Sequence, residues 1–190
     1  MIFAFAAAAS GAVTADLSRY TQSKDFIVAQ SGNLLTIDSR GEKQTRLRIV
    51  FNLADPERLI HEVSVAPRAD ASRAIILEDA APAYRVYTGR RHGSWEDNYF
   101  DNPSTRPHEV VEYMGQLALK RCRVEETGGR LQVILGELRL GIFHGDVVFT
   151  LYAGSNLVKQ EAVVSTEEAS VAYYYDSWVT RCSTNALSSW

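Results

Sequence analysis

Short runs of alternating apolar and polar residues, cut by Gly, Asn and Asp, make up most of this chain. Across residues 45–51, Leu47, Ile49 and Phe51 alternate with Arg46, Arg48 and Val50. A period of two turns one set of side chains toward a core and the other toward water, which marks a half-buried strand. Residues 59–66 and 73–78 read the same way, and residues 84–88 set Tyr84, Val86 and Tyr87 around Arg85. Residues 25–30 and 34–38 flank Ser31-Gly32-Asn33, a hairpin turn, and residues 118–125 and 130–135 flank Thr127-Gly128-Gly129, a second one. Further runs follow at 137–143 after Gly136, at 147–152 after Gly145-Asp146, at 157–165 and at 171–179. Many short strands separated by turn residues predict an all-β fold, an antiparallel β-sandwich. At most one or two short helices fit beside them, at 56–61 and 107–119, and the second reads equally well as strand.

Length and charge narrow the setting. With 190 residues, 46% of them apolar, the chain can bury a full core as one domain. A formal charge of -3, with Lys and Arg clustered no further than pairs such as Arg90-Arg91, gives no footprint for nucleic acid. The opening MIFAFAAAASGAVTADLS has no charge before Asp16. Its apolar run is shorter than the ~20 residues that span a bilayer. It ends in Val13-Thr14-Ala15, where a signal peptidase would find short side chains. Residues 1–15 therefore read as a signal peptide, without the usual positive leading segment, and residues 16–190 as one exported domain, secreted or periplasmic. A buried Ala-rich helix is the alternative, in which Gly11 and Thr14 would sit badly. The chain closes on Ser188-Ser189-Trp190 soon after a strand, which suggests the front part of a longer protein. Cys122 and Cys182 fit export as one disulfide or, equally, two unpaired core thiols, and their spacing offers no metal motif.

The chemistry-bearing residues concentrate in TGRRHGSWEDNYFDNPSTRPHEV, residues 88–110, which matches neither strand nor helix. A connection this long is unusual unless it works. Sugars are held by aromatic faces against their C–H side and by planar polar groups at their hydroxyls. Trp95 and Tyr99 supply the first, and Arg91, Glu96, Asp97 and Asn98 the second. The competing reading is a loop pinned by aromatic anchors and Asx turns. Asp97, Asn98, Asp101 and Asn102 also form an oxygen-rich patch that could take Ca²⁺, although the spacing is not that of an EF-hand. Asp97 and Asp101 are its carboxylates.

Other motifs are thinner. His108-Glu109-x-x-Glu112 lacks the second histidine of a zincin, and His61-Glu62 repeats the dipeptide within a strand. His144, read as lying on the connection Gly141–Asp146, sits near Asp146 for acid–base work at a sandwich rim, or is a turn histidine in water. No Gly-x-Ser-x-Gly elbow or glycine-rich phosphate loop occurs. In Tyr173-Tyr174-Tyr175-Asp176-Ser177-Trp178, a strand turns Tyr173 and Tyr175 one way and Tyr174 and Asp176 the other. One set is expected in the core, and the other, with Tyr174, on an accessible face.

The run GIFHGDVVFTLYAGSNLVKQEAVVSTEEASVAYYYDSW, in the last third of the chain, resembles the long antiparallel strands of galactose-mutarotase-like sandwiches. The resemblance implies a domain of a secreted glycoside hydrolase or polysaccharide lyase, and transfers no catalytic residue. The leading expectation is thus a secreted domain that binds or presents carbohydrate within a larger carbohydrate-active protein. Two alternatives stand beside it. One is a lyase or hydrolase with His92 or His144 as base and Glu96 or Asp97 as acid. The other is a structural sandwich that assembles with a downstream domain.

Overall fold

The computed structural model describes residues 13–90 and 110–182, and among them twelve strands form two stacked sheets. In chain order these are β1 (Ala15–Arg19), β2 (Phe26–Ser31), β3 (Leu34–Arg40), β4 (Arg46–Asn52), β5 (Ile60–Ala66) and β6 (Ala74–Arg90). They continue with β7 (Val111–Met114), β8 (Gln116–Thr127), β9 (Arg130–Leu140), β10 (Phe143–Tyr152), β11 (Val158–Ser165) and β12 (Val171–Thr180). One sheet runs β1-β8-β9-β10-β11 and the other β12-β6-β5-β4-β3-β2, with β7 added beside β6. The pairing is antiparallel apart from β1 on β8, which is parallel. The expected all-β sandwich is the fold. Its helical content among the described residues is two single 3-10 turns, Glu42–Gln44 and Pro56–Arg58, the second capped by the Asp55 carboxylate. Of the stretch 107–119, expected as helix or strand, residues 111–114 form β7 and 116–119 open β8, while 107–109 lie outside the described residues.

Alternation builds the core. Leu47, Ile49 and Phe51 of β4 turn inward with Leu35 and Ile37 of β3, and meet Leu131, Val133 and Leu135 of β9 and Val147, Phe149 and Leu151 of β10. The Phe51 and Phe149 rings meet across the layers at 4.9 Å between centroids. Each such side chain, removed from water, contributes about 1.5–3 kcal/mol.

Two strands are longer than the alternation suggests. The runs 73–78 and 84–88 belong to one strand, β6, which passes straight through Pro82. Its β5 pairing ends at Ala80 and its β7 pairing starts at Arg85. Pro82 thus falls where that edge has no strand partner among the described residues, and a missing N–H costs no ladder bond there. Likewise β9 runs on through Gly136. There Asp146 of β10 pairs with Gly136 and Gly145 with Leu138, so Glu137 is an extra, bulged residue. The bulge moves the inward set from Leu131, Val133 and Leu135 to Leu138 and Leu140. The following turn is Gly141-Ile142, with Gly141 at φ +63°, where a side chain would also strike the Tyr113 ring.

One pair of sheet edges is tied together. Gln30 accepts from the Ala15 N–H and donates to the Val13 carbonyl, both at 2.8 Å. The Tyr20 hydroxyl donates to the Phe26 carbonyl at 2.9 Å and accepts from the Val28 N–H at 3.1 Å. The folded region therefore includes Val13 and buried Ala15, ahead of the Asp16 boundary expected from the leader; residues 1–12 lie outside the described residues. At the other end, among the described residues, β11 and β12 are the outermost strands of their sheets.

The two cysteines are not bridged. Cys122 faces the core from β8, while Cys182 is exposed just beyond β12, its thiol turned to the Val179 carbonyl at 3.6 Å. Both thiols are free, one buried in the first sheet and the other exposed beyond β12. The disulfide expectation is corrected accordingly, and of the two only Cys122 is a core thiol.

Candidate functional site

The outer face of the second sheet carries a cluster made by three neighbouring strands. In the register of β6 with β12, Tyr87 lies opposite Tyr174 and Arg85 opposite Asp176. In the register of β6 with β7, Tyr87 lies opposite Glu112 and Arg85 opposite Met114. Side chains at i and i+2 share a face, so Arg85, Tyr87, Glu112, Met114, Tyr174, Asp176 and Trp178 project together. Their inward neighbours Tyr84 and Val86 are buried.

Arg85 organises the group. Its Nε and Nη2 donate to Asp176 Oδ2 at 3.0 and 2.6 Å, and its Nη1 stands 3.7 Å from Glu112 Oε1. The guanidinium carbon lies 5.2 Å from the centre of the Tyr87 ring and 5.7 Å from that of Trp178, within cation–π range of both. The Tyr87 and Tyr174 rings neighbour each other at 5.9 Å and 35°. The Tyr174 hydroxyl donates to Asp176 Oδ1 at 2.9 Å, so both carboxylate oxygens are engaged. Donation from Arg85, then from Tyr174, holds the Asp176 carboxyl below the usual range. The same bond to Asp176 holds the Tyr174 phenol above the ordinary tyrosine value, and that to Asp176 raises Arg85. The surface therefore presents the Arg85 guanidinium and the Asp176 carboxylate beside aromatic rings, with Tyr174 51% and Trp178 36% exposed.

Tyr174 thus stands where its strand reading placed it, on an accessible face. The opposite set departs from expectation. Tyr173 and Tyr175 do turn to the inner side, yet they are 48% and 64% exposed instead of sealed in a core. They border a cleft between β11 and β12.

His144 is not on a turn. It lies within β10, opposite Arg139 and Ser165, and is exposed. Its expected partner Asp146 accepts from Arg121 Nη2 at 2.6 Å. Among the described residues the one histidine–carboxylate pair within 4.0 Å is His61 with Asp79, at 3.1 Å, and Arg58 shares that carboxylate at 3.4 Å. The residues Arg91, His92, Trp95, Glu96, Asp97, Asn98, Tyr99 and Asp101 lie outside the described residues, as does His108. Among the described residues no three His, Cys, Asp or Glu side chains are placed to hold a metal ion, and no helix is long and apolar enough to cross a membrane.

Arg85, Tyr87, Trp178, Glu112 and Met114 were not singled out from the sequence as one surface. The local signal was present in the alternation of β6. Their convergence depends on pairing β6 with β12, which joins Arg85 to a carboxylate 91 positions away.

Comparison of the chain with protein-family models, with curated proteins and with solved structures finds no match.

Proposed function

We propose that this chain is a secreted carbohydrate-binding domain that serves a larger carbohydrate-active protein, and that the outer face around Arg85 is its contact surface. The observation that supports this is the set of rings on one face: Tyr87 and Trp178 lie against one guanidinium, and Tyr174 lies beside Tyr87. Aromatic faces of this kind suit the C–H side of a pyranose, and ordered Arg and carboxylate groups beside them suit its hydroxyls. Because Asp176 and Glu112 already hold Arg85, little ordering is left for the ligand to impose. The strand style that resembles galactose-mutarotase-like sandwiches favours a partner domain acting on polysaccharide.

The test is retention of the purified protein on a panel of immobilised plant, fungal and bacterial polysaccharides. Wild type is expected to be retained by at least one, and Tyr174→Ala to lose that retention while still unfolding in a single cooperative melt. Trp95→Ala is the matching variant for the contact expected from Trp95 and Tyr99. Retention by none of the panel, or cleavage of a polysaccharide by the protein alone, would replace this reading; in the second case it becomes the enzymatic one.

A further inference from the structure

On the inner side of β12, opposite the aromatic face, a cleft of about 520 Å³ opens between β11 and β12, the outermost strands among the described residues. That volume is within the range of roughly 300–1,000 Å³ for small-molecule sites. Tyr173 and Tyr175 of β12 form one wall, and Leu140 and Phe143 another; Phe143 meets Tyr173 edge-on at 5.4 Å. Val86, Ala162 and Val164 add apolar surface. Tyr84 lines the cleft from β6, is only 4% exposed, and its hydroxyl has no hydrogen-bond partner among the described residues. Gln160 stands close enough to ease the phenol's ionisation but not in bonding geometry, and burial still pushes Tyr84 up to about 12. A protonated donor left unsatisfied in an apolar setting is costly, and such groups in native proteins call for an explanation.

The charges around the cleft are already committed. Lys159 Nζ pairs with Glu161 Oε1 at 2.6 Å, and Asp176 is held by Arg85 on the outer face. Among the described residues the uncommitted polar groups are neutral: the Tyr84, Tyr173 and Tyr175 hydroxyls, the Gln160 carboxamide and the Ser177 hydroxyl. An ionic ligand would be buried without a counter-charge, and a hexose would set much of its hydroxyl surface against the apolar walls. Apolar and aromatic walls around the buried, unpartnered Tyr84 hydroxyl suit a flat ring with a single acceptor.

We propose that this cleft is a binding site for a neutral, single-ring aromatic compound carrying a carbonyl or hydroxyl group, which accepts the hydrogen bond of Tyr84 while Tyr173, Tyr175 and Phe143 enclose the ring. The site is separate from the outer face and stands whether or not that face binds sugar.

Titration calorimetry with methyl 4-hydroxybenzoate tests it, against 4-hydroxybenzoate as the charged analogue and methyl glucoside as the neutral sugar. Wild type is expected to bind the ester saturably, and at least tenfold more tightly than either comparator. Tyr84→Phe should weaken binding about five- to tenfold, the loss of one hydrogen bond, with a melting temperature equal to or above wild type because the unsatisfied hydroxyl is gone. Tyr175→Ala, at an exposed position, should also weaken it, while Trp178→Ala on the outer face leaves it unchanged. No saturable binding of the ester by wild type, equal or tighter binding of either comparator, or wild-type affinity in both Tyr84→Phe and Tyr175→Ala would each overturn the proposal.

Discussion

Replacing Trp178 by alanine asks whether the outer face is a binding surface or merely a decorated one. Trp178 is 36% exposed; of the roughly 250 Å² a tryptophan offers, about 90 Å² is therefore open to a ligand. At ~25 cal/mol per Å², covering all of it is worth ~2 kcal/mol, and covering one ring face ~1 kcal/mol. Affinity for the retained polysaccharide should thus fall by about fivefold to thirtyfold. Stability should hardly change. The ring sits on the outside of an edge strand with its guanidinium neighbour at 5.7 Å, and surface changes of this kind usually stay within about 0.5 kcal/mol. Titration calorimetry with a soluble oligosaccharide and a thermal melt measure both quantities. Unchanged affinity would refute the contact, and a melting temperature lowered by more than about 5 °C would show that the ring is a structural anchor instead.

Three further outcomes are expected. Phe149→Ala, which empties the centre of the inter-sheet core, should lower unfolding stability by about 3–5 kcal/mol in a denaturant titration. A loss below ~1 kcal/mol would contradict the packing of Phe51 on Phe149. The Tyr174 phenol is raised by its bond to Asp176, so the native state keeps that proton longer than the unfolded chain does. The stabilisation is fully present below the ordinary tyrosine value and is lost as pH rises through the raised one; Asp176, held low, loses its contribution in the opposite direction, as pH falls through its depressed value. Ultraviolet titration should show one phenol fewer ionising late in Asp176→Asn, and an unaltered curve would break the assignment. Finally, Cys182 should react with a thiol reagent in the native protein, whereas Cys122, its thiol pushed up to about 12 by burial, should react only on unfolding. Protection of both thiols would indicate that they are paired.

The sheet layers were legible because their cues are local. Ser31-Gly32-Asn33 marks the β2–β3 hairpin, and the alternation of Leu47, Ile49 and Phe51 marks an inner face that the structure buries completely. Reading failed where a local break signal was overridden by a distant partner. Pro82 interrupts nothing, since the edge it spoils is unpaired among the described residues. Gly136 does not end β9, since a bulge absorbs the change of phase. For the same reason His144 moved from a turn into a strand. Tyr174 was accessible to reading because period two assigns it a face; the ring companions Tyr87 and Trp178 and the organising Arg85 were not, because only the β6–β12 register brings them together. The exposure of Tyr173 and Tyr175 was hidden for a related cause. Alternation tells which side of a sheet a residue takes, not whether the opposite sheet extends far enough to cover it.

The most direct test of the proposed carbohydrate-binding surface is backbone amide chemical-shift mapping of this 21.1 kDa protein during titration with an oligosaccharide from any polysaccharide found to retain it. Shifts concentrated on residues 85–87, 112–114 and 174–178 are the expected result. Shifts centred on any other surface, with these three stretches unmoved, would contradict it.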